Sequence, residues 1–85
     1  MIFLLMRAYE QIRDDVCYNN LNVKLIGTGA SQFLGFSHNL EGSERDYCLL
    51  RNLPHLEMFY PDDEKELNAA MIRSNKLKWP TYIKI

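Results

Sequence analysis

The sequence has little cysteine, glycine and proline, and almost no net charge. Its two cysteines, Cys17 and Cys48, are too few for a disulfide framework and indicate small hydrophobic residues buried in a reducing compartment. A formal net charge of -1 gives no bulk attraction to nucleic acid or to an anionic membrane. No apolar run approaches the roughly 20 residues needed to span a bilayer, and the opening apolar stretch lacks the features of a secretory signal. We therefore expect a cytoplasmic protein.

Length and composition predict one small globular domain. The 85 residues are 47% hydrophobic and 25% charged, which is ordinary globular usage and argues against disorder, collagen-like repeats and coiled coils. A chain of this length has room for one modest core. We therefore expect residues 1–85 to form a single domain.

Hydrophobic periodicity in the first part of the chain predicts one helix followed by strands. A helical stripe is formed by apolar residues spaced three or four apart, Leu5, Tyr9, Ile12 and Val16. Alternating or aromatic runs then predict three strands, at Asn22–Ile26, Phe33–His38 and Asp46–Arg51. The polar stretch Asn39–Arg45 is typical of a hairpin loop between the last two strands.

The second part of the chain predicts another strand, a helix and a short last strand. The run His55–Tyr60 alternates and indicates a fourth strand. The acidic segment Pro61–Glu66 is typical of a helix start, because acids favour the positive end of the helix dipole. Asn75 is a candidate left-handed cap of this helix, and Thr81–Ile85 is predicted to close the chain as an edge strand.

These elements together predict an α+β fold. We expect an N-terminal helix, a three- to four-stranded antiparallel sheet, a second helix packed on the same face of the sheet, and a short C-terminal tail or edge strand.

The stretch VKLIGTGASQFLGF looks like a strand that enters a phosphate-binding loop. A dinucleotide fingerprint needs a third glycine three residues after Gly29, and Gln32 stands there instead. No lysine follows the glycines to complete a P-loop, and the sequence after them suits a strand better than a helix. A hairpin turn at Gly27 and Gly29 is the preferred interpretation, and a contact of this segment with a ligand stays open. No cofactor is predicted.

No constellation of residues predicts catalysis or metal binding. A zinc site could be drawn from His38, His55, Cys17 and Cys48, but no pair among them has the close spacing of known sites. Ser31 or Ser43 with His38 and Asp46 lacks the strand-turn-helix context of a catalytic serine. We therefore predict no catalytic residues, no metal and no enzyme activity.

Two surface patterns predict binding. The first is a set of acids on the predicted hairpin and helix start that would face a basic surface on another protein, namely Glu41, Glu44, Asp46, Asp62, Asp63 and Glu64. The second mixes cations with aromatic rings near the C-terminus, as in proteins that bind single-stranded nucleic acid, namely Arg73, Lys76, Lys78, Trp79, Tyr82 and Lys84. Each pattern also has a plain structural interpretation, as a solvated rim or as a helix end followed by an edge strand.

The element order, and the string Asn22–Thr28 (NVKLIGT) after a first helix, resemble small phage-encoded anti-CRISPR inhibitors of Cas9. The resemblance implies a non-catalytic inhibitor or adaptor in the cytoplasm of a host cell, docked on a larger protein that itself binds nucleic acid. The predicted function is therefore protein binding through the acidic set. The alternative is a nucleic-acid-binding module that uses the basic and aromatic set, and a homodimer through the last strand is also open.

Overall fold

The computed structural model describes residues 2–28 and 43–85 of the chain. Its elements in chain order are helix α1 (Ile2–Arg7), a π-helix (Gln11–Tyr18), strand β1 (Lys24–Gly27), helix α2 (Ser43–Leu50), strand β2 (Glu57–Phe59), helix α3 (Glu64–Lys76) and strand β3 (Thr81–Lys84). Within the described ranges, no helix combines the length and the apolar character that crossing a membrane requires. The predicted strand Phe33–His38 lies outside the described residues.

The predicted N-terminal helix is confirmed, but its second half has wider turns than an α-helix. The two halves adjoin, since the N–H of Ile12 donates to the carbonyl of Ala8 at 2.9 Å. A π-helix has more residues per turn than an α-helix. This difference brings Ile12 and Cys17, five positions apart, to the buried side, while Val16 is only half-buried.

The strand predicted at Asp46–Arg51 is wrong, because this segment lies in α2 and the turn that follows it. The N–H of Arg51 donates to the carbonyl of Tyr47 at 2.9 Å, which is helical spacing. In this segment the residues at odd positions and those at even positions are both apolar, and a short apolar run of this kind fits a buried helix as well as a strand. Leu50 is buried and Leu49 half-buried, so α2 packs its last turn into the core. The predicted loop Asn39–Arg45 also overlaps the start of α2.

The predicted antiparallel sheet is wrong, because the three strands run parallel in the order β1-β3-β2. The predicted strands at Asn22–Ile26 and His55–Tyr60 are confirmed by β1 and β2. The last strand is central and not an edge. Backbone bonds hold it on both sides, from Ile85 N–H to the carbonyl of Gly27 at 2.8 Å and from Glu57 N–H to the carbonyl of Pro80 at 3.0 Å.

Helix α3 begins at the acidic segment, as the sequence predicts, and Asp63 is its N-cap. The Asp63 carboxylate accepts the N–H of Glu66 at 2.7 Å, and the Glu66 carboxylate accepts the N–H of Asp62 at 2.7 Å. The first bond satisfies a backbone donor that the first helical turn leaves open, and the second ties the residue before the cap to the helix. The predicted left-handed cap at Asn75 is wrong, because the helix runs through Lys76 and ends at Leu77 in an extended conformation.

The helices cover both faces of the sheet, so the prediction of two helices on one face is wrong. Aligned residues of neighbouring parallel strands point to the same side. Leu25, Tyr82 and Met58 therefore share one face, here named the Tyr82 face, and Ile26, Ile83 and Phe59 share the other, the Ile83 face. In the strand order, the connection from β1 to β2 leads past β3 in one direction, and the connection from β2 to β3 leads back in the opposite direction. Right-handed connections in opposite directions place their helices on opposite faces.

The main core lies on the Tyr82 face, beneath the N-terminal helices and α2. Its buried members are Leu5, Ile12, Cys17, Leu50, Leu53 and Tyr82, and half-buried side chains surround them. The hydroxyl of Tyr9 donates to the carbonyl of Leu49 at 2.7 Å, which joins the N-terminal segment to α2. Burial of these apolar side chains is the main force that holds the two ends of the chain together.

Candidate functional site

The three strands end at the same side of the molecule because they are parallel. Gly27, Phe59 and Lys84 are their last residues, and Thr28, Tyr60 and Ile85 follow them. In open parallel sheets with helices on both faces, ligands bind just outside the carboxyl ends of the strands. This side, here named the carboxyl edge, is the candidate functional site of the described part of the chain.

Lys84 occupies the centre of the carboxyl edge. Its residue is only 2% exposed, and it lies in register with Gly27 of β1. Glycine has no side chain, so it leaves room beside the long lysine stem. The lysine interacts with neighbours inside the domain, and its ammonium group supplies three donors and a positive charge. In the sequence, nothing marks this buried lysine beyond its place in the apolar run Tyr82–Ile85.

A row of tyrosines supports the carboxyl edge from the Tyr82 face. The rings of Tyr60 and Tyr82 lie 6.3 Å apart, and those of Tyr47 and Tyr60 lie 6.4 Å apart in an edge-to-face arrangement. Such pairs add to the free energy gained by burial alone. Tyr82 is fully buried, so the row fixes the end of β2 against the central strand.

A groove borders the carboxyl edge on the Ile83 face, between the end of β2 and α3. Its volume is about 310 Å³, and it is lined by Phe59, Tyr60, Pro61, Glu66, Ala69, Ala70 and Arg73. Five of the lining residues are apolar or aromatic, and two, Glu66 and Arg73, are charged. Both are already engaged, since Glu66 caps α3 and the Nε of Arg73 lies 3.4 Å from a carboxylate oxygen of Glu57. The groove therefore presents mainly apolar surface to a ligand, and its two charged groups already have partners within the chain.

Half of the predicted acidic surface is placed by the structure. Asp62, Asp63 and Glu64 are exposed at the start of α3, where Asp63 also caps the helix. Glu41 and the side chains of Glu44 and Asp46 lie outside the described residues, although the latter two belong to α2. Whether these acids form one surface stays a prediction.

The predicted basic and aromatic surface is divided by the structure. Arg73, Lys76, Lys78 and Trp79 are exposed, whereas Tyr82 and Lys84 are buried on the central strand. The six residues therefore do not form one continuous surface, and contact of the exposed members with nucleic acid stays a prediction. The two residues are buried because β3 has a neighbouring strand on each side and helices above and below.

The glycine segment and the cysteines also differ in part from the predictions. Gly27 lies inside β1 and not in a turn, while Gly29 lies outside the described residues. Cys17 is buried as predicted, but Cys48 is exposed, and both thiols are free. Among the residues that the structure describes, no group of histidine, cysteine and acidic side chains is arranged to hold a metal ion.

Comparisons with known proteins identify the fold and its relatives. The family model described as transketolase, pyrimidine binding domain, matches residues 1–84. An apulose-4-phosphate transketolase subunit of Actinobacillus succinogenes is 32% identical over 83 residues, which are 98% of this chain and 27% of that protein. The 1-deoxy-D-xylulose-5-phosphate synthase of Bacillus cytotoxicus is 39% identical over 62 residues, which are 73% of this chain and 10% of that protein.

A solved structure agrees with these relatives. The chain of a split-gene transketolase, described as an inactive β4 tetramer, superposes with a TM-score of 0.81 at 35% identity. The match covers 98% of this chain and 25% of that one. The chain thus spans about a quarter, or less, of the length of the relatives it matches.

These findings correct the functional prediction made from the sequence. The relatives are named as enzymes, a transketolase subunit and a synthase, so the expectation of a non-catalytic inhibitor is wrong. The resemblance to phage-encoded anti-CRISPR proteins is also wrong, because the family match extends over nearly the whole chain. The string Asn22–Thr28 that suggested it contains β1, a short strand of a common kind.

Proposed function

The chain belongs to the transketolase pyrimidine-binding domain family, and on that premise we propose that it forms one part of a transketolase-type enzyme acting on phosphorylated sugars. The observation that carries the proposal is the match in both sequence and structure over 98% of the chain. The parallel sheet supports it, since its carboxyl edge is the side at which such folds bind ligands.

The proposed part works only together with further polypeptide. The charged groups near the carboxyl edge are partly engaged within the described part of the chain, since the Glu66 carboxylate accepts the N–H of Asp62 and Lys84 is buried. The solved relative is described as an inactive tetramer of one subunit type. We therefore expect the isolated 85 residues to be inactive and to associate with protein that supplies the rest of such an enzyme.

The expectation of a protein partner is kept in a changed form. The partner is another part of the same enzyme, and no basic or nucleic-acid-binding partner is proposed. The cytoplasm remains the proposed location, and residues 1–85 are proposed to pack as one unit within the assembly.

Purification from the native cells tests the proposal. An affinity tag on this chain is expected to recover either one longer polypeptide or a companion subunit, and this preparation should convert phosphorylated sugars in a transketolase assay followed by mass spectrometry. The isolated 85 residues are the matched control and should show no turnover. A preparation that contains the complete polypeptide and shows neither transketolase turnover nor formation of 1-deoxy-D-xylulose 5-phosphate would contradict the proposal.

The synthase relatives favour a second candidate reaction. Identity to the Bacillus cytotoxicus synthase is higher, 39%, although over fewer residues. The same preparation can be assayed for formation of 1-deoxy-D-xylulose 5-phosphate. Formation of that product without transketolase turnover would assign the chain to the synthase type.

A further inference from the structure

A second cavity lies at the opposite end of the sheet from the carboxyl edge. Asn20, His55 and Trp79 line a space of about 240 Å³. Each residue stands a few positions before a strand, so all three gather where β1, β2 and β3 begin. Nothing in the proposed enzyme function uses this side of the molecule.

Two of these three residues have backbone conformations that are unusual for residues other than glycine. Among the described residues, Asn20 and His55 are the non-glycine positions with positive φ, at 53° and 66°. Asn20 has a local reason, because it follows the π-helix and its N–H donates to the carbonyl of Cys17 at 3.0 Å. Asparagine is common at such helix ends.

His55 also lies in a turn, where positive φ after a proline is common, and histidine is among the non-glycine residues enriched in this conformation. It follows Pro54 in the turn before β2, where glycine would adopt positive φ without steric cost. The residue is exposed and, with the likewise exposed Asn20 and Trp79, lines the cavity, so its side chain is accessible to a ligand.

Trp79 supplies an aromatic surface at a fixed position. The residue is 39% exposed, and it is the single tryptophan of the sequence. Its backbone carbonyl accepts a hydrogen bond from Nζ of Lys24 at 3.1 Å, and the same ammonium group bonds the carbonyl of Leu77 at 2.9 Å. The segment that carries the indole is therefore tied to β1.

We propose that this cavity binds a purine ring, such as the adenine of a free nucleoside or nucleotide. An indole face stacks on planar rings, and a carboxamide can donate to and accept from the edge of adenine. The imidazole of His55 adds a further donor or acceptor. The cavity is smaller than the roughly 300–1,000 Å³ of sites for drug-sized ligands, which suits one ring system. This proposal is independent of the proposed enzyme function.

Trp79 makes the binding directly measurable, because its fluorescence reports a stacked ring without interference from another indole. Titration of the purified chain with adenosine should give saturable quenching with a Kd on the order of 1 mM, corrected for absorption by the ligand. Ribose 5-phosphate, which has no ring base, should produce no saturable change. This pair of probes separates recognition of the base from recognition of a sugar phosphate.

Variants at the two positive-φ positions keep the backbone and remove the side chains. His55→Gly and Asn20→Gly should each weaken adenosine binding about tenfold or more, while urea unfolding shows His55→Gly to be at least as stable as the parent. Asn52→Gly, in the same exposed turn but outside the cavity lining, is the matched control and should bind like the parent. Linear quenching without saturation, equal quenching by ribose 5-phosphate, or unchanged binding by His55→Gly would overturn the proposal.

Discussion

The two faces of the sheet differ in how completely they are covered. On the Tyr82 face, the N-terminal helices and α2 enclose Tyr82, which has no exposed surface. On the Ile83 face, α3 borders β2, while Ile26 of β1 is 41% exposed and the groove beside Phe59 stays open. The contrast is clearest on β1, where Leu25 on the Tyr82 face is half-buried while Ile26 is exposed; on the central strand, Tyr82 and Ile83 are both fully buried. The Ile83 face therefore retains exposed apolar surface at its β1 edge.

The Ile83 face also encloses one polar atom next to the central strand. The hydroxyl of Thr81 is buried without a hydrogen-bond partner among the described residues. Buried hydroxyls normally find a partner, and one without a partner lowers the stability of the fold. It lies in register with Lys24 and Glu57, in the first row of the sheet.

The largest expected effect is a loss of core packing on the Tyr82 face. Leu50→Ala should lower the free energy of unfolding by about 2–5 kcal/mol, because Leu50 is fully buried in the main cluster and truncation leaves a cavity. Ile26→Ala on the Ile83 face should cost less than about 1 kcal/mol, because water already reaches that side chain. Urea denaturation of both variants measures the difference, and equal losses would remove the distinction between the faces.

The next effect is on thiol reactivity. Burial raises the pKa of the Cys17 thiol above its ordinary value of 9.0, and the residue has no exposed surface. Cys48 is exposed. A thiol reagent at a pH of about 8 should therefore label Cys48 first, with Cys17 at least about a hundredfold slower, because only the thiolate reacts and access needs opening of the core.

The same raised pKa predicts a direction for stability. The folded state holds the Cys17 proton at pH values where the unfolded thiol has lost it, so stability should fall as pH rises past 9.0.

In the labelling experiment, the variants Cys17→Ser and Cys48→Ser identify the labelled site by mass spectrometry. Fast labelling of Cys17 in the native protein would contradict the closed core.

A smaller effect is expected from removing the hydrogen bonds that Lys24 makes on the Ile83 face. Lys24 joins β1 to the segment before β3 through the carbonyls of Leu77 and Trp79, and it also bonds the side chain of Asn22 at 2.6 Å. Lys24→Met keeps the aliphatic stem and removes these bonds. Because solvent reaches part of the site, a loss of about 1–2 kcal/mol is expected, below the upper range for bonds to charged groups.

The fluorescence of Trp79 and urea denaturation together measure this loss. Lys65→Met, on the exposed side of α3, is the control and should leave stability within about 0.5 kcal/mol of the parent. If the free energy of unfolding of Lys24→Met equals that of the parent, the hydrogen bonds of Lys24 do not stabilise the segment before β3.

Sequence patterns predict the elements with strong local signals and miss those that depend on strand order. The N-terminal stripe, β1, β2 and the start of α3 at Asp63 are local features, and the structure confirms them. Strand direction is not local. The central place of Thr81–Lys84 follows from its pairing with two strands distant in the chain, so a pattern in the last residues alone cannot distinguish it from an edge.

The site is less predictable than the fold. The sequence predicts that Tyr82 and Lys84 are exposed, because it places the last strand at the edge of the sheet. Both are buried because β3 is the central strand. The family could not be deduced from a catalytic motif, because the sequence has no P-loop lysine, no closely spaced zinc ligands and no catalytic-serine turn. The left-handed backbone of His55 could not be fixed from the sequence either, because a proline in a turn fits more than one turn type, and only some of them give the next residue positive φ.

An exchange of segments tests the central claim most directly, namely that these residues are part of a transketolase-type enzyme. Residues 1–85 would replace the aligned 83-residue region in the Actinobacillus succinogenes transketolase subunit. The account predicts that the chimaeric protein folds, assembles with its companion polypeptide as the parent does, and supports turnover. A folded chimaera that neither assembles nor turns over substrate, beside an active parent, would contradict it.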